Sequence, residues 1–496
     1  MADGASSSIE MIRSTLLTLL ICCLCAAAVN PGLQLAITEK GLKYVADVGI
    51  PLLIEQLKTA TIPPMSGRAD TPVGHFDYDL SNIKLQSFAI PTYSLTSVHA
   101  VGLQLQASRM SASVHADWHY REESWPHVSD SGSADISMSS SSLKLSLALG
   151  RDTTNNHFTI ETTGCSINIG HLSVDFHGGA SWLYNLFNDQ IADSLKDSLV
   201  KSLCSTADQY IDTSGKAAVE SIPIVAKIDS TSEINYELIS DPDFQPAYIQ
   251  TQHKGEFYSI AKPVEAPITA PPIPPATSVD YSKMMYVWVS TYVVNSAAFV
   301  YRQSGILAYN ITPSSSVLPP GVSINTDFFG AFIPELSKRY PHMDMVLDIT
   351  AGQYPEAVVA NNTISLNVPG TLVAMVKLPN NTLTTVFTLG LLIFTKAQVT
   401  LASRSGVEVI GFQDTLLSID IKLISSEIGT FDVNSLQKSL QLIATYVIIP
   451  DINNYGTNGI PVPTVSGLSF VDPVITLGNN YIQIATDVNF KPSIFA

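Results

Sequence analysis

Between Leu183 and Leu203 apolar side chains recur at spacings of three and four, at Leu183, Leu186, Phe187, Ile191, Leu195, Leu199 and Leu203, with Asp189, Asp193, Lys196, Asp197 and Lys201 between them. This is the pattern of an amphipathic helix of about six turns. A row spaced by four drifts roughly 40° per step around a helix of 3.6 residues per turn, so the apolar stripe winds. A flat surface cannot cover such a stripe, but a strongly twisted sheet wrapped along the helix can. Strands of the right kind stand upstream. Leu143, Leu145, Leu147 and Leu149 alternate with Lys144, Ser146 and Ala148, and Phe158, Ile160 and Thr162 keep the same period. Cys165, Ile167 and Ile169 share one face, and Leu172, Val174 and Phe176 share another after a break at Gly170.

Cys165 thus sides with core residues of a strand, and Cys204 lies near the end of the long helix. The remaining cysteines, Cys22, Cys23 and Cys25, sit in an apolar leader. A Cys165–Cys204 bridge would pin helix to sheet, closing a loop of some 40 residues worth roughly 4 kcal/mol; the alternative is two unpaired buried thiols. The leader supports the bridge. Arg13 precedes the uncharged run Ser14 to Leu24, and Ala26, Ala27 and Ala28 offer a cleavage site, so residues 1–28 read as a signal peptide and the protein as secreted into an oxidising space. The competing reading, a membrane anchor, needs about 20 apolar residues and finds fewer.

The net charge of the whole chain is −17, and about −16 without Asp3, Glu10 and Arg13 of the leader. That balance argues against nucleic acid and against general attraction to anionic membranes. With 14% charged residues against 46% hydrophobic, the chain has either large cores or apolar internal surface kept for a ligand. About 470 mature residues exceed one core, so two domains are expected. Pro263, Pro267, Pro271, Pro272, Pro274 and Pro275 mark the seam, a linker over 262–280 between domains at 29–261 and 281–496.

In the first domain Thr38 can cap a helix through Leu42, Val45, Ala46, Ile50, Leu53 and Leu57, bent midway by Gly49 and Pro51. In the second, helices are expected over Thr291 to Gln303, Phe328 to Tyr340 and Val433 to Ile449, the last stopped by Pro450. Strands are expected over Thr363 to Val368, Thr371 to Leu378, Ala397 to Leu401 and Ile482 to Val488.

Short stretches spread along the chain resemble the bactericidal permeability-increasing protein and lipopolysaccharide-binding protein family. They are Asn30-Pro31-Gly32, Lys40-Gly41-Leu42, the Cys165 and Cys204 pair, Lys227-Ile228-Asp229-Ser230 with Ile234-Asn235-Tyr236, and Lys254-Gly255-Glu256-Phe257-Tyr258-Ser259. Beyond the linker Phe328-Phe329-Gly330, Pro334-Glu335 and Leu378-Pro379-Asn380 continue the likeness. The resemblance implies an α+β fold, with two barrel-like domains, each a twisted antiparallel sheet around a long helix, joined by a central sheet in a boomerang. Each barrel would hold one phospholipid. On that implication Leu183, Phe187, Ile191, Leu195, Leu199, Val45 and Leu53 become candidates for lining the lipid pocket. Each buried methylene contributes about 0.8 kcal/mol, so acyl chains bind without an ion pair to the headgroup.

One stretch departs from the family. In its bactericidal members the tip of the first barrel is strongly basic and implicated in gripping the phosphates of lipid A, whereas His115 to Asp135 here sets Arg121 against Asp117, Glu122, Glu123, Asp130 and Asp135. Lys40, Lys43, Lys58 and Arg68 are the basic residues elsewhere that can contribute. Trp118, Tyr120, Arg121 and Trp125 are the tip candidates for meeting a membrane, although Trp118 and Trp125 can equally pack the end of the barrel. His115, His119 and His127 share this stretch; protonated near pH 6 they would lift its charge from about −4 towards −1, unless they are merely solvated.

No Gly-x-Ser-x-Gly elbow, His-Glu-x-x-His or phosphate-cradling loop is present, and no cofactor or metal is expected; His171 and His177 lack ligand spacing. Asn310, Asn361 and Asn380 begin glycosylation sequons, with Pro313 following the first and Asn380 in a turn after Pro379. The sequence therefore reads as a secreted, non-enzymatic protein of innate immunity that binds bacterial lipopolysaccharide at the outer-membrane surface and stores phospholipid. A lipid-transfer protein without antibacterial action is the alternative that the acidic tip favours.

Overall fold

Thr38 ends the first strand and starts the first helix. In the computed structural model, which describes residues 30–491 apart from 59–61, 72–73, 126, 179–187, 316–317 and 466, β1 (Leu33–Thr38) leads directly into α1 (Glu39–Lys58). The Thr38 hydroxyl accepts from the Gly41 amide at 3.4 Å and donates to the Lys283 carbonyl at 2.7 Å. One side chain thus caps the helix and ties it to the far side of the linker. The helix stays continuous through Gly49 and Pro51. The leader lies outside the described residues.

The first barrel is a sheet of long antiparallel strands, β2 (Met65–Thr71), β3 (Gly74–Ala89), β4 (Thr92–Val98), β5 (Gly102–Glu122), β6 (Ser129–Arg151), β7 (Phe158–Asn168) and β8 (His171–His177). They run in the order β2-β3-β5-β6-β7, with β4 also on β5 and β8 on β6. Strict alternation puts Phe76, Tyr78, Leu80, Val114, Ala116, Ala134 and Ile136 inside and Asp77, Asp79, His115, Asp117 and Asp135 outside. Helix α2 (Asn188–Tyr210) runs two turns past Leu203, then through a π turn at Ile211–Gly215 into α3 (Lys216–Glu220). Leu195 and Leu199 are buried as the stripe requires. Leu183 and Phe187 lie outside the described residues, and of Ile191 only the backbone is described. Cys165 of β7 and Cys204 of α2 form a disulfide with Cα atoms 5.7 Å apart.

The middle of the chain supplies short strands, β9 (Val225–Lys227), β10 (Ser232–Asn235), β11 (Asp243–Gln245), β12 (Tyr248–His253), β13 (Glu256–Ser259) and, after the proline-rich segment, β14 (Met285–Ser290). Prolines cannot donate, so side chains fasten that segment instead. Asn30 donates to the Ala270 carbonyl at 2.8 Å and Gln34 to the Pro274 carbonyl at 3.1 Å, while the amides of Ala266 and Ala276 donate to Glu256 at 2.7 Å and Gln250 at 3.1 Å. The segment is strapped down rather than swinging free.

The second barrel opens with α4 (Thr291–Gln303), whose ends match the sequence reading and whose cap is the Ser290 hydroxyl. Then come β15 (Ala308–Ile311), α5 (Thr326–Gly330) and α6 (Pro334–Arg339). The single helix expected over Phe328 to Tyr340 is split because Pro334 starts a new one. Strands β16 (Met345–Ala351), β17 (Glu356–Ala360), β18 (Thr363–Lys377), β19 (Leu383–Arg404) and β20 (Val407–Ser426) follow. The two strands expected around Pro369 are one. Pro369 falls where β18 passes from its β17 neighbour to its β16 neighbour, so its missing N–H costs no ladder bond on that side. Helices α7 (Gln437–Ile443) and α8 (Ile449–Asn458) are joined by a π turn at Ala444–Ile448. Pro450 does not stop the helix as expected, because it occupies the first turn of α8 just after that wider turn. Gly411 and Gly456 let α8 settle on β20: a Cβ on Gly456 would lie 2.3 Å from the Phe412 carbonyl oxygen. Finally β21 (Ile460–Pro461) pairs with β20 at the edge of the barrel sheet, and β22 (Leu468–Leu477) and β23 (Tyr481–Phe490) return to the centre.

There the halves join in one six-stranded sheet of order β11-β12-β1-β14-β23-β22. Strand β1 pairs antiparallel with β14, Leu33 opposite Val289 through Ile37 opposite Met285, so a strand from the start of the chain is stitched to one from beyond the linker.

Candidate functional site

Alternation along β18 and β20 and the apolar face of α4 leave a chamber inside the second barrel. Val294, Ala297, Ala298 and Tyr301 of α4 face Leu366 and Val368 of β18, Ile410 and Phe412 of β20, and Ile452 and Tyr455 of α8 across a cavity of about 110 Å³ that opens to solvent. An adjoining chamber of about 50 Å³ shares Val294, Leu366, Ile410 and Phe412 and continues past Ala397 towards Ile482 of the central sheet. The paired alanines of α4 and Gly459 explain the space, since larger side chains there would fill it. Polar groups gather near Tyr301. Its hydroxyl donates to Asp229 at 2.6 Å, its ring lies 4.8 Å from that of Tyr455, and Tyr309 donates to Asp451 at 3.1 Å. Burial, with the Asp229 hydrogen bond adding to it, holds Tyr301 protonated well above its usual range. Burial alone would raise Asp229, but hydrogen bonds from Tyr301, Thr231 and Ser232 outweigh it and leave the carboxyl below its ordinary value.

The first barrel has a narrower cleft of about 20 Å³ between Leu199, Ser202, Leu203 and Thr206 of α2 and Leu85, Phe88, Val114 and Met138 of the sheet. Of the pocket candidates, Leu199 lines this cleft, Leu195 packs in the core beside it, and Leu53 packs with Phe88 and Met110 in the neighbouring cluster. Val45 does not point inward: it is 50% exposed. Leu42, Ala46, Ile50 and Leu53 form the buried stripe of α1, and Val45 lies about 60° of arc behind Leu42. The residues of the second chamber went unread in the sequence, although two alanines on the apolar face of a barrel helix are a visible sign of room.

Two barrels with apolar interiors bridged by a shared sheet restrict the fold, and comparison decides the family. The description for the LBP / BPI / CETP family, N-terminal domain, matches residues 41–214, and that for its C-terminal domain matches residues 226–490. The chain belongs to the LBP / BPI / CETP family. It is 31% identical over 466 residues to the bactericidal permeability-increasing protein of Sebastes schlegelii, covering 93% of this chain and 96% of that one. It is 28% identical to the lipopolysaccharide-binding protein of Mus musculus, across 97% and 98% of the two chains. The crystal structure of lipopolysaccharide binding protein aligns with a TM-score of 0.65 at 25% identity, covering 94% of this chain and 100% of that chain. The α+β two-barrel boomerang implied by the motifs is the fold of this member.

This member of the LBP / BPI / CETP family differs from expectation at the tip of its first barrel. Trp118, a candidate for meeting a membrane, is only 5% exposed; its indole donates to the Ser133 carbonyl at 2.9 Å and stacks on Tyr120, which is also buried. The reason lies across the ladder. Gly132 faces Trp118, and a Cβ there would come 2.7 Å from the indole. Trp125 is the outward ring, 87% exposed in the β5–β6 turn, with Arg121 and Val128 exposed nearby. His127 occupies the same turn. His115 lies instead on the outer sheet face, 2.7 Å from Asp135, whose other oxygen is 3.0 Å from His177; His119 lies 3.8 Å from Asp79. Hydrogen bonds from His115 and His177 hold Asp135 below its usual range.

Asn310, Asn361 and Asn380 are all exposed. At Asn380 the Thr382 hydroxyl donates to the asparagine side chain at 2.7 Å, closing the sequon into a turn. Among the described residues no group of three or more His, Cys, Asp or Glu side chains is arranged to hold a metal, and no helix is long and apolar enough to cross a membrane.

Proposed function

We propose that this protein is a secreted, non-enzymatic lipid-binding protein of innate immunity, which holds phospholipid tails in its barrel chambers and binds lipopolysaccharide of Gram-negative bacteria. The observation that carries the reading is the apolar chamber under α4, joined to likeness over nearly the whole chain to proteins named for lipopolysaccharide binding and bacterial permeability. Acyl chains suit such walls: at about 0.8 kcal/mol per methylene, ten buried methylenes supply about 8 kcal/mol before entropic costs. Leu195, Leu199 and Leu53 serve the first barrel in this reading, Trp125 and Arg121 meet the bacterial surface, and Asn310, Asn361 and Asn380 carry glycans in the secreted protein.

A second reading, lipid transfer without antibacterial action, is favoured by the outer face of the first barrel. Asp77, Asp79, Asp117, Asp135 and Asp175 stand there on four neighbouring strands, a surface that repels lipid A phosphates. One experiment separates the two. Native protein is extracted for bound lipid, then titrated with lipopolysaccharide and with neutral phospholipid vesicles. Saturable lipopolysaccharide binding that phosphatidylcholine does not abolish supports the defence reading; equal exchange of any phospholipid with no lipopolysaccharide preference supports transfer. Protein free of lipid and inert to both would overturn both.

A further inference from the structure

Outside the chambers, α1 and β4 leave a wider cleft where the first barrel meets the central sheet. Glu39, Lys43 and Asp47 of α1, Tyr93 and Thr96 of β4, and Tyr281 just beyond the linker stand around about 640 Å³ of space, against about 110 Å³ for the chamber under α4. None of the residues that line it lines a chamber. Its volume falls in the usual range of small-molecule sites, roughly 300–1,000 Å³. Its walls differ from those of the chambers, for they mix rings and methyl groups with charges and hydroxyls.

The lysines of the cleft are already engaged. Lys43 pairs with Asp47 at 2.7 Å, and Asp47 also accepts from the Tyr93 hydroxyl at 3.1 Å. The hydrogen bond from Lys43, more than that from Tyr93, holds the Asp47 carboxyl below its ordinary value. Lys40 reaches to Asp487 at 2.8 Å and to the Ser282 carbonyl at 3.3 Å. A phosphate would have to displace a carboxylate from either lysine. An ammonium would meet Glu39, which has no basic partner among the described residues, but also the positive charge of Lys43 four residues along the same helix.

What remains for a ligand is one carboxylate, the hydroxyls of Ser94 and Thr96, and two tyrosine rings. Tyr281 is held in a strained conformation, with φ at +56°, in the left-handed region that bulky side chains avoid, and its ring stacks on that of Tyr248 at 5.8 Å. Acceptors and hydroxyls beside aromatic walls, with the lysine charges already balanced, suit a neutral molecule that carries hydroxyls on its edge and C–H bonds on its face.

We propose that the α1–β4 cleft binds a neutral sugar ring, whose hydroxyls donate to Glu39 and exchange hydrogen bonds with Ser94 and Thr96 while its C–H face lies against Tyr93 and Tyr281. This goes beyond lipid binding and does not depend on it: the chambers take hydrocarbon and the cleft takes carbohydrate. A free saccharide and the glycan of a glycolipid present the same ring, and the assay tells them apart.

The test is saturation-transfer NMR with calorimetry on the full-length protein, using methyl glucoside, methyl galactoside, methyl mannoside and N-acetylglucosamine, with inorganic phosphate and choline as charged competitors. At least one sugar should bind saturably, and neither competitor should displace it. Tyr281→Ala should weaken that sugar about tenfold and Glu39→Gln about fivefold, the sizes of one lost ring contact and one weakened hydrogen bond. Glu39 is exposed, so Glu39→Gln keeps the fold whatever becomes of Tyr281→Ala, and displacement of a fluorescent fatty acid by stearate should be unaltered in both variants. If the variants also weaken binding of polysaccharide released from lipopolysaccharide, the ligand is a lipid-borne glycan; if they weaken only the simple sugars, it is a free saccharide. No saturable sugar binding, displacement of the sugar by phosphate or choline, or sugar binding that both variants leave unchanged overturns the site. Loss of stearate binding by the native protein with sugar binding intact strikes the lipid-chamber reading alone and leaves this inference standing.

Discussion

Removing the Cys165–Cys204 bridge tests whether α2 is held to its sheet mainly by a covalent tie. The two cysteines are 39 residues apart, a loop for which the chain-entropy estimate gives about 4 kcal/mol. A single domain has a total stability of about 5–15 kcal/mol, so the loss is large for the first barrel. Cys204 directly follows Leu203, which lines the narrow cleft, so the same cut loosens that cleft's wall. The perturbation is Cys165→Ala with Cys204→Ala, followed by urea unfolding watched through tryptophan. Trp118 reports on the first barrel and Trp288, wholly buried in β14, reports on the central sheet. In variants keeping only one of these reporters, the Trp118 transition should fall by roughly 1.5 M urea or more, and the Trp288 transition by much less. An unchanged Trp118 midpoint would refute the entropic argument. Equal shifts at both reporters would refute its confinement to the first barrel.

Two further outcomes follow from burial. Trp125→Ser should leave the melting temperature unchanged and weaken adsorption to phosphatidylcholine vesicles roughly fivefold, whereas Trp118→Ala should cost about 3–5 kcal/mol of stability; the reverse ranking would mean that the tip is assigned wrongly. His253 is fully buried, which lowers it to about 4 even though the Tyr236 carbonyl, 2.8 Å away, favours the charged ring. Its folded value lies below its unfolded one, so its contribution is complete above pH 6.5 and is lost as pH falls towards about 4, amounting to roughly 3 kcal/mol. His253→Gln should flatten that stretch of a stability-against-pH curve, and an unaltered slope would sink the assignment.

Local patterns in the sequence place α4 to the residue and the alternating strands of both barrels, because each depends on neighbours two to four residues away; the disulfide, between residues 39 apart, is legible because only two cysteines stand outside the leader. What local pattern leaves open, or misplaces, depends on distant partners. Whether Trp118 faces water or core is decided by Gly132 across the ladder, and whether Pro369 breaks β18 is decided by where β16 and β17 end. Pro450 reads as a stop until the π turn before it is known. Val45 was drawn inward only because it neighbours the true stripe.

The antiparallel pairing of β1 with β14 has a consequence for biosynthesis. While the ribosome is still making the second barrel, the first can close around its own helices, yet β1 keeps one bare edge until residue 285 emerges. Strand β14 in turn waits for β23 at 481–490, which follows the whole of the second barrel. A prematurely terminated chain would therefore present an unzipped seam, ready to recruit any extended peptide nearby, and quality-control chaperones should engage truncated products there rather than at either barrel.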